Sequence, residues 1–220
     1  MNRFNWTEIH EIPNGPGIYA WYYAPEITNF DLEQTIKLVR KKKEDGYDID
    51  AKKEIEEFLE KFIFNYFVEE PYLVSIKGPL KPEFSGKINH KQRLSEALIL
   101  RIVENPIRLK TIKDIIEKSA PDFASPIYIG MSENIRQRVT KHKRLIEKYF
   151  SENNLVGLKQ ITGVGTKDVR DHNFAWQIKK RAIPPSRLFV TIKQIAGEDR
   201  PYIDIENILN RIQYPLLGRN

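Results

Sequence analysis

The sequence predicts a mixed fold of helices and strands, α/β (α+β), in which a small sheet is flanked by helices and interrupted by a long, mainly helical segment. Three runs predict the sheet: IYAWYYA at 18–24, PIYIG at 126–130 and RLFVTIKQIAG at 187–197 are dense in β-branched and aromatic residues and bounded by proline or glycine. Most of the remaining chain repeats apolar residues at helical spacing.

The turn-rich segment EIPNGPG launches the first strand at about 17–24, and Pro25 ends it. From Asp31 the spacing of Leu32, Ile36 and Val39 predicts a helix, followed by the solvated run Arg40 to Lys43. Ile55, Phe58, Leu59, Phe62 and Ile63 place a broad apolar stripe on a second helix over about 50–68. PYLVSIKGPL reads as a short strand closed by Gly78 and Pro79, and KPEFSGKINHK as a loop. Helices are expected at about 90–104 and 106–118, the second opening on Pro106. After PIYIG comes a basic helix, then the polar loop 151–168, then a short helix over FAWQIKKRAI and the strand bounded by Pro185 and Gly197. A last helix starts near Asp199 and Pro201, carries Ile205, Ile208, Leu209 and Ile212 as its stripe, and ends before Pro215.

Composition bounds the chemistry. At 220 residues, 40% hydrophobic and 30% charged, the chain is long and apolar enough to bury a core. It has no cysteine, which excludes disulfides, thiolate metal sites and a thiol nucleophile. No apolar run approaches the roughly 18 residues of a membrane span, and MNRFNWTEIHEIP lacks a signal peptide's apolar stretch, so a cytoplasmic protein without a membrane partner is expected. The net charge of +6 is concentrated: Arg136, Arg138, Lys141, Lys143, Arg144 and Lys148 face only Glu133 and Glu147 between residues 131 and 150. Such a stripe suits a phosphate backbone.

On a helical wheel after Gly130, Ile135, Val139 and Ile146 share the side that packs on the sheet, with Arg138 and His142 at its edge near Leu145. An arginine on the rim of a packed face can grip a phosphate through its planar fork. GPGIYAWY at 15–22 and SPIYIGMSENIRQR at 125–138 resemble the two signature strands of the GIY-YIG nuclease family. Gly17-Ile18-Tyr19 matches the first motif and Tyr128-Ile129-Gly130 the second, with Ser132, Asn134, Ile135 and Arg138 in register with its extension. Glu206 and Asn220 stand where the family's later glutamate and asparagine are expected.

The resemblance implies a small GIY-YIG-type mixed sheet and a Mg²⁺-dependent DNA endonuclease, with Mn²⁺ as a substitute ion. Tyr19 would take the proton from the attacking water with help from His142, Tyr128 would orient water or phosphate, and Arg138 would hold the scissile phosphate. Glu206 would bind the metal, with Asp204 or Glu198 as alternative ligands, and Asn220 would tether its helix. Arg136, Lys141, Lys143, Arg144, Lys179, Lys180 and Arg181 are candidate nucleic-acid contacts. The family's compact module keeps its motifs close together, whereas here residues 25–124 intervene. Residues 1–24 with 125–220 are therefore expected to form the nuclease domain, and 25–124 a helical lobe for DNA binding or dimerisation. A restriction or phage-defence role is expected, with DNA, a second copy of the chain or a defence-system protein as partners. The alternatives are a repair or structure-specific nuclease, and a DNA-binding module or subunit that works only with a partner protein.

Overall fold

The computed structural model describes residues 2–79, 81–89, 93–151, 166–195 and 201–217. The chain is a mixture of helices and antiparallel sheet, and it divides into two compact units, Met1–Glu26 with Ile115–Asn220 and Ile27–Asp114.

The first unit is built on a four-stranded sheet of β1 (Asn2–Asn5), β2 (Gly17–Tyr23), β5 (Tyr128–Ser132) and β6 (Leu188–Gln194), in the order β1-β6-β2-β5. Every pairing in it is antiparallel, so the sheet is not the mixed one expected. β1 escaped the sequence reading because NRFN is short and polar, with only Phe4 half-buried; it holds its place through pairing with β6. β2 lies between β6 and β5 and is enclosed on both faces, which explains why GIYAWYY shows no polar alternation.

Register assigns the two faces of the sheet. Tyr19 is opposite Gly130 and Ile192, and Trp21 is opposite Tyr128 and Val190, so these side chains share one face. Against it pack α5 (Ile135–Ser151), through Ile135, Val139, His142 and Ile146, and α6 (Thr166–Lys180), through Phe174. α6 begins well before FAWQIKKRAI, the expected short helix. On the other face Ile18, Ala20, Ile129 and Met131 meet Tyr202, Ile205 and Leu209 of α7 (Tyr202–Gln213). The expected α7 stripe is thereby corrected: Ile208 and Ile212 are exposed, and Tyr202 takes their place against the sheet. A turn of 3₁₀ helix, Trp6–Glu11, follows β1 and buries Ile9.

The second unit contains α1 (Asn29–Glu44), α2 (Asp48–Leu59), β3 (Tyr72–Gly78), β4 (Lys81–Ile88) and α3 (Glu96–Glu104). α4 (Arg108–Phe123) crosses the division between the units. Thr28 caps α1 by accepting a hydrogen bond from the Asp31 amide at 3.0 Å. Leu32, Ile36 and Val39 of α1, Ile55, Phe58 and Leu59 of α2, and Ile99, Ile102 and Val103 of α3 are buried. KPEFSGKI, expected to be a loop, is instead strand β4, paired with β3 from Tyr72↔Ile88 to Gly78↔Lys81. Pro82 argues against a central strand, but a two-stranded ribbon has only edges, where proline is tolerated.

Candidate active site

Glycine-rich turn chemistry fixes the start of β2. Gly17 has φ +152°, and a β-carbon there would run into the Lys193 carbonyl and lie 2.9 Å from Gln194 Cα. The Gly15 carbonyl accepts the Ile135 amide at 3.0 Å, tying the first motif to the first turn of α5. Asn134 caps α5 by accepting from the Gln137 amide at 3.0 Å, and Ser132 Oγ accepts the Asn134 amide at 3.0 Å. The serine and asparagine of SENIR thus shape the turn that aims Arg138.

Gly130 makes room for Tyr19. The two residues are cross-strand partners, and the Tyr19 ring lies so low over Gly130 that a β-carbon there would stand 2.5 Å from the phenol oxygen and 3.0 Å from Tyr128 Cε1. Tyr19 and Tyr128 then stack at 6.2 Å between centroids. Tyr19 is 1% exposed, and burial pushes its phenol well above the ordinary value; Tyr128 and Asp171 push the same way, and Arg138 opposes them. The Arg138 guanidinium lies alongside the Tyr19 hydroxyl but short of full hydrogen-bonding geometry. Burial likewise raises Tyr128, helped by the negative charges of Asp171 and Glu206.

Among the described residues β5 is the outer strand of the sheet, and α5 and α7, on opposite faces, both border it. There a cleft of about 390 Å³ is lined by Tyr19, Tyr128, Arg138, Tyr202 and Glu206, with Asn134 and Gln137 at the start of α5. Arg138 reaches it from α5 and Glu206 from α7. The N-terminal end of α5 adds partial positive charge on the same side, which favours an anion.

His142 lies elsewhere than the wheel placed it. It is wholly buried in the middle of the α5 stripe, with both ring nitrogens engaged. Trp21 Nε1 donates to Nδ1 at 3.2 Å, and an indole nitrogen is a donor only. Nδ1 is therefore the acceptor and Nε2 carries the hydrogen, which it donates to Asp171 Oδ1 at 2.9 Å. The imidazole touches Tyr19 only through ring contact, at 5.6 Å between centroids, so it has no nitrogen to offer the phenol. The expected assistance from His142 to Tyr19 is corrected accordingly.

Asp171 was not singled out from the sequence. It is wholly buried and meets Arg138 Nη2 at 2.5 Å, Lys141 Nζ at 3.1 Å and His142. Burial alone would raise its carboxyl, but the His142 hydrogen bond and the Arg138 and Lys141 charges outweigh it and hold it below the ordinary range. A signal was available: Asp171, Phe174, Ala175 and Ile178 are buried at i, i+3, i+4 and i+7, so a carboxylate interrupts an apolar helical stripe.

Burial lowers His142, against the opposing pull of Asp171. Its folded value lies below the unfolded one near 6.5, so the unfolded chain takes up the proton first. Stability is at its full value above about pH 6.5 and falls as the pH drops through the window below it; Asp171 adds a further loss below about pH 4. Melting temperature should decline from pH 6.5 to 5 in the wild type and decline less in His142→Gln, which carries no group that titrates in this range. Equal slopes for the two proteins would contradict this origin.

The basic residues divide. Arg136 donates to the Ile12 carbonyl, and Lys143 donates to the Trp6 carbonyl at 3.0 Å while lying 5.2 Å from the Trp6 ring centroid. Both tie α5 to the N-terminal segment instead of standing out as phosphate contacts, and Lys141 is engaged by Asp171. Arg144 and Lys180 are exposed, and Lys179 and Arg181 are half-buried. Asn220 and Glu198 lie outside the described residues; Leu217, near the chain's end, donates its amide to the Ile127 carbonyl at 2.7 Å.

Among the described residues no cluster of three or more histidines and carboxylates forms a metal cage. Mg²⁺ needs none, since one or two carboxylates with waters and substrate phosphate suffice. Glu206 is half-buried on the cleft wall with its charge felt by Tyr128, which fits a hard ion held by a single carboxylate; exposed Asp204 does not line the cleft. Among the described residues no helix is long and apolar enough to cross a membrane. No protein-family model, no curated protein and no solved structure matches the chain.

Proposed function

We propose that this chain is a Mg²⁺-dependent DNA endonuclease of the GIY-YIG type. The observation that carries the reading is the convergence of Tyr19, Tyr128, Arg138 and Glu206, from β2, β5, α5 and α7, on one cleft. Hydrolysing a phosphodiester requires a proton acceptor for water and compensation of the charge that develops on the phosphoryl oxygens. Arg138, always charged, supplies the second requirement. The Tyr19 oxygen, beside that cation, supplies the first, and Tyr128 orients the water or the phosphate. Mg²⁺ held by Glu206 would add Lewis-acid stabilisation of the phosphate and leaving oxygen. The P–O3′ bond breaks as the water oxygen bonds to phosphorus, Tyr19 takes the water's proton and the departing O3′ takes one from solvent, leaving 5′-phosphate and 3′-hydroxyl ends.

The test is incubation of supercoiled plasmid and of single-stranded DNA with the purified protein in Mg²⁺, Mn²⁺ or EDTA. Metal-dependent cutting is expected, and its absence on both substrates would contradict the reading of a self-sufficient enzyme. Because burial holds Tyr19 protonated, the reactive phenolate is scarce at neutral pH. The rate of the chemical step should rise about tenfold per pH unit between pH 7 and 9 without a plateau. A flat profile would remove Tyr19 from the role of base.

One observation favours the partner-dependent alternative. In the second unit, Tyr72, Ile76, Phe84 and Ile88 share one face of the β3–β4 hairpin and are each more than half exposed. An apolar face of this kind marks a contact surface, and a restriction or defence nuclease that assembles with a second copy or another protein would use one. Size-exclusion chromatography at rising protein concentration, compared between wild type and Ile76→Lys, tests self-association.

A further inference from the structure

Among the described residues the wholly buried polar side chains are His142 and Asp171, and they touch each other. A buried carboxylate persists only where cations and donors compensate it. Here the compensation is directional. Trp21, fixed in the central strand, donates to His142; this sets the tautomer, so that Nε2–H points at Asp171 Oδ1. The same oxygen receives Arg138 Nη2 at 2.5 Å, and Lys141 takes Oδ2 at 3.1 Å. Arg138 is 18% exposed and its remaining surface lines the cleft. A guanidinium is a rigid planar fork, so anchoring one terminal nitrogen leaves little freedom for the others.

We propose that Asp171 is the positioning residue for the phosphate-binding arginine: it holds the Arg138 guanidinium plane toward the cleft, and Trp21 and His142 hold Asp171. The proposal rests on the nuclease reading for its catalytic consequence, but not for its structural one. Asp171 is buried among two cations and an imidazole donor and does not line the cleft, so it would meet neither metal nor substrate directly. Its influence on the reaction passes through Arg138.

A double-mutant cycle tests this. In the otherwise intact protein, Asp171→Asn should lower kcat for plasmid cleavage about 100-fold, the scale of a misplaced catalytic group, with KM nearly unchanged. In an Arg138→Ala background the same change should cost nothing further, because the group it positions is gone. Equal losses in both backgrounds would overturn the proposal in favour of a purely structural carboxylate. Should Asp171→Asn not fold, Trp21→Phe removes the indole donor while keeping an aromatic ring; it should cost several-fold in the presence of Arg138 and nothing in its absence. A readout independent of cleavage separates this proposal from the nuclease reading. The ¹⁵N resonance of Arg138 Nε–H, assigned by Arg138→Lys, should be resolved in the wild type and broadened by exchange in Asp171→Asn. If the wild type cuts no DNA, the nuclease reading falls while this resonance still decides the positioning. An unchanged resonance overturns the positioning itself.

Discussion

On the proposed nuclease reading, replacing Arg138 by alanine is expected to lower the rate of phosphodiester cleavage about 10³-fold or more, with DNA binding reduced far less. The expectation follows from where the side chain stands. Arg138 is the cation that lines the cleft from α5, beside the Tyr19 hydroxyl and anchored to Asp171. Preorganised donors aimed at developing phosphoryl charge are worth about 10²- to 10³-fold each, and an arginine in a phosphoryl-transfer site reaches about 10³ to 10⁵. Two losses combine here, the phosphate clamp and the cation that favours the Tyr19 phenolate. The variant also leaves Asp171 with Lys141 and His142 as partners, so it should remain folded; a melting curve run beside the single-turnover assay checks this. A fall of less than tenfold in a folded variant would contradict the clamp.

Gly130→Ala should be nearly as damaging, by a steric route. The added methyl would sit 2.5 Å from the Tyr19 oxygen and 2.7 Å from its Cζ, in strands that are paired on both sides of β2. β2 is held by strands on both sides, so either the Tyr19 ring or the outer strand β5 must give, and each displaces the phenol from its stack with Tyr128. Overpacking of this kind costs about 1–3 kcal/mol of stability. Moving the phenol oxygen by about 1 Å costs on the order of 10² in rate. Chemical denaturation and cleavage assays on the same preparation give both quantities. Wild-type activity in Gly130→Ala would show that the Tyr19 position does not matter to the reaction.

These residues were legible in the sequence because their geometry is local. Tyr19, Tyr128, Gly130 and Arg138 sit in two short motifs on β2, β5 and the start of α5, where strand alternation and the helix cap determine which way a side chain points. What depended on distant packing was not legible. His142 appeared at the rim of a wheel, but Phe174 and Asp171 of α6 close over it and place it in the core. Arg136 and Lys143 read as outward-facing until the segment Trp6–Glu11 and Ile12 supplied carbonyls for them. Asp171, in the polar run VRDHN, reads as a solvated helix residue unless its register with Phe174 and Ile178 is noticed. β4 was hidden for a different reason, because a proline and two small residues mask a strand whose stability comes from its pairing with β3.

The most direct test of the account is cleavage of supercoiled plasmid in Mg²⁺ by wild type, Tyr19→Phe, Arg138→Ala and Glu206→Ala, each shown by melting to be folded. Cutting by the wild type that EDTA abolishes and that all three variants lose is the expected result. Cutting that survives in the three folded variants would contradict it, placing the reaction outside the cleft on the edge of β5.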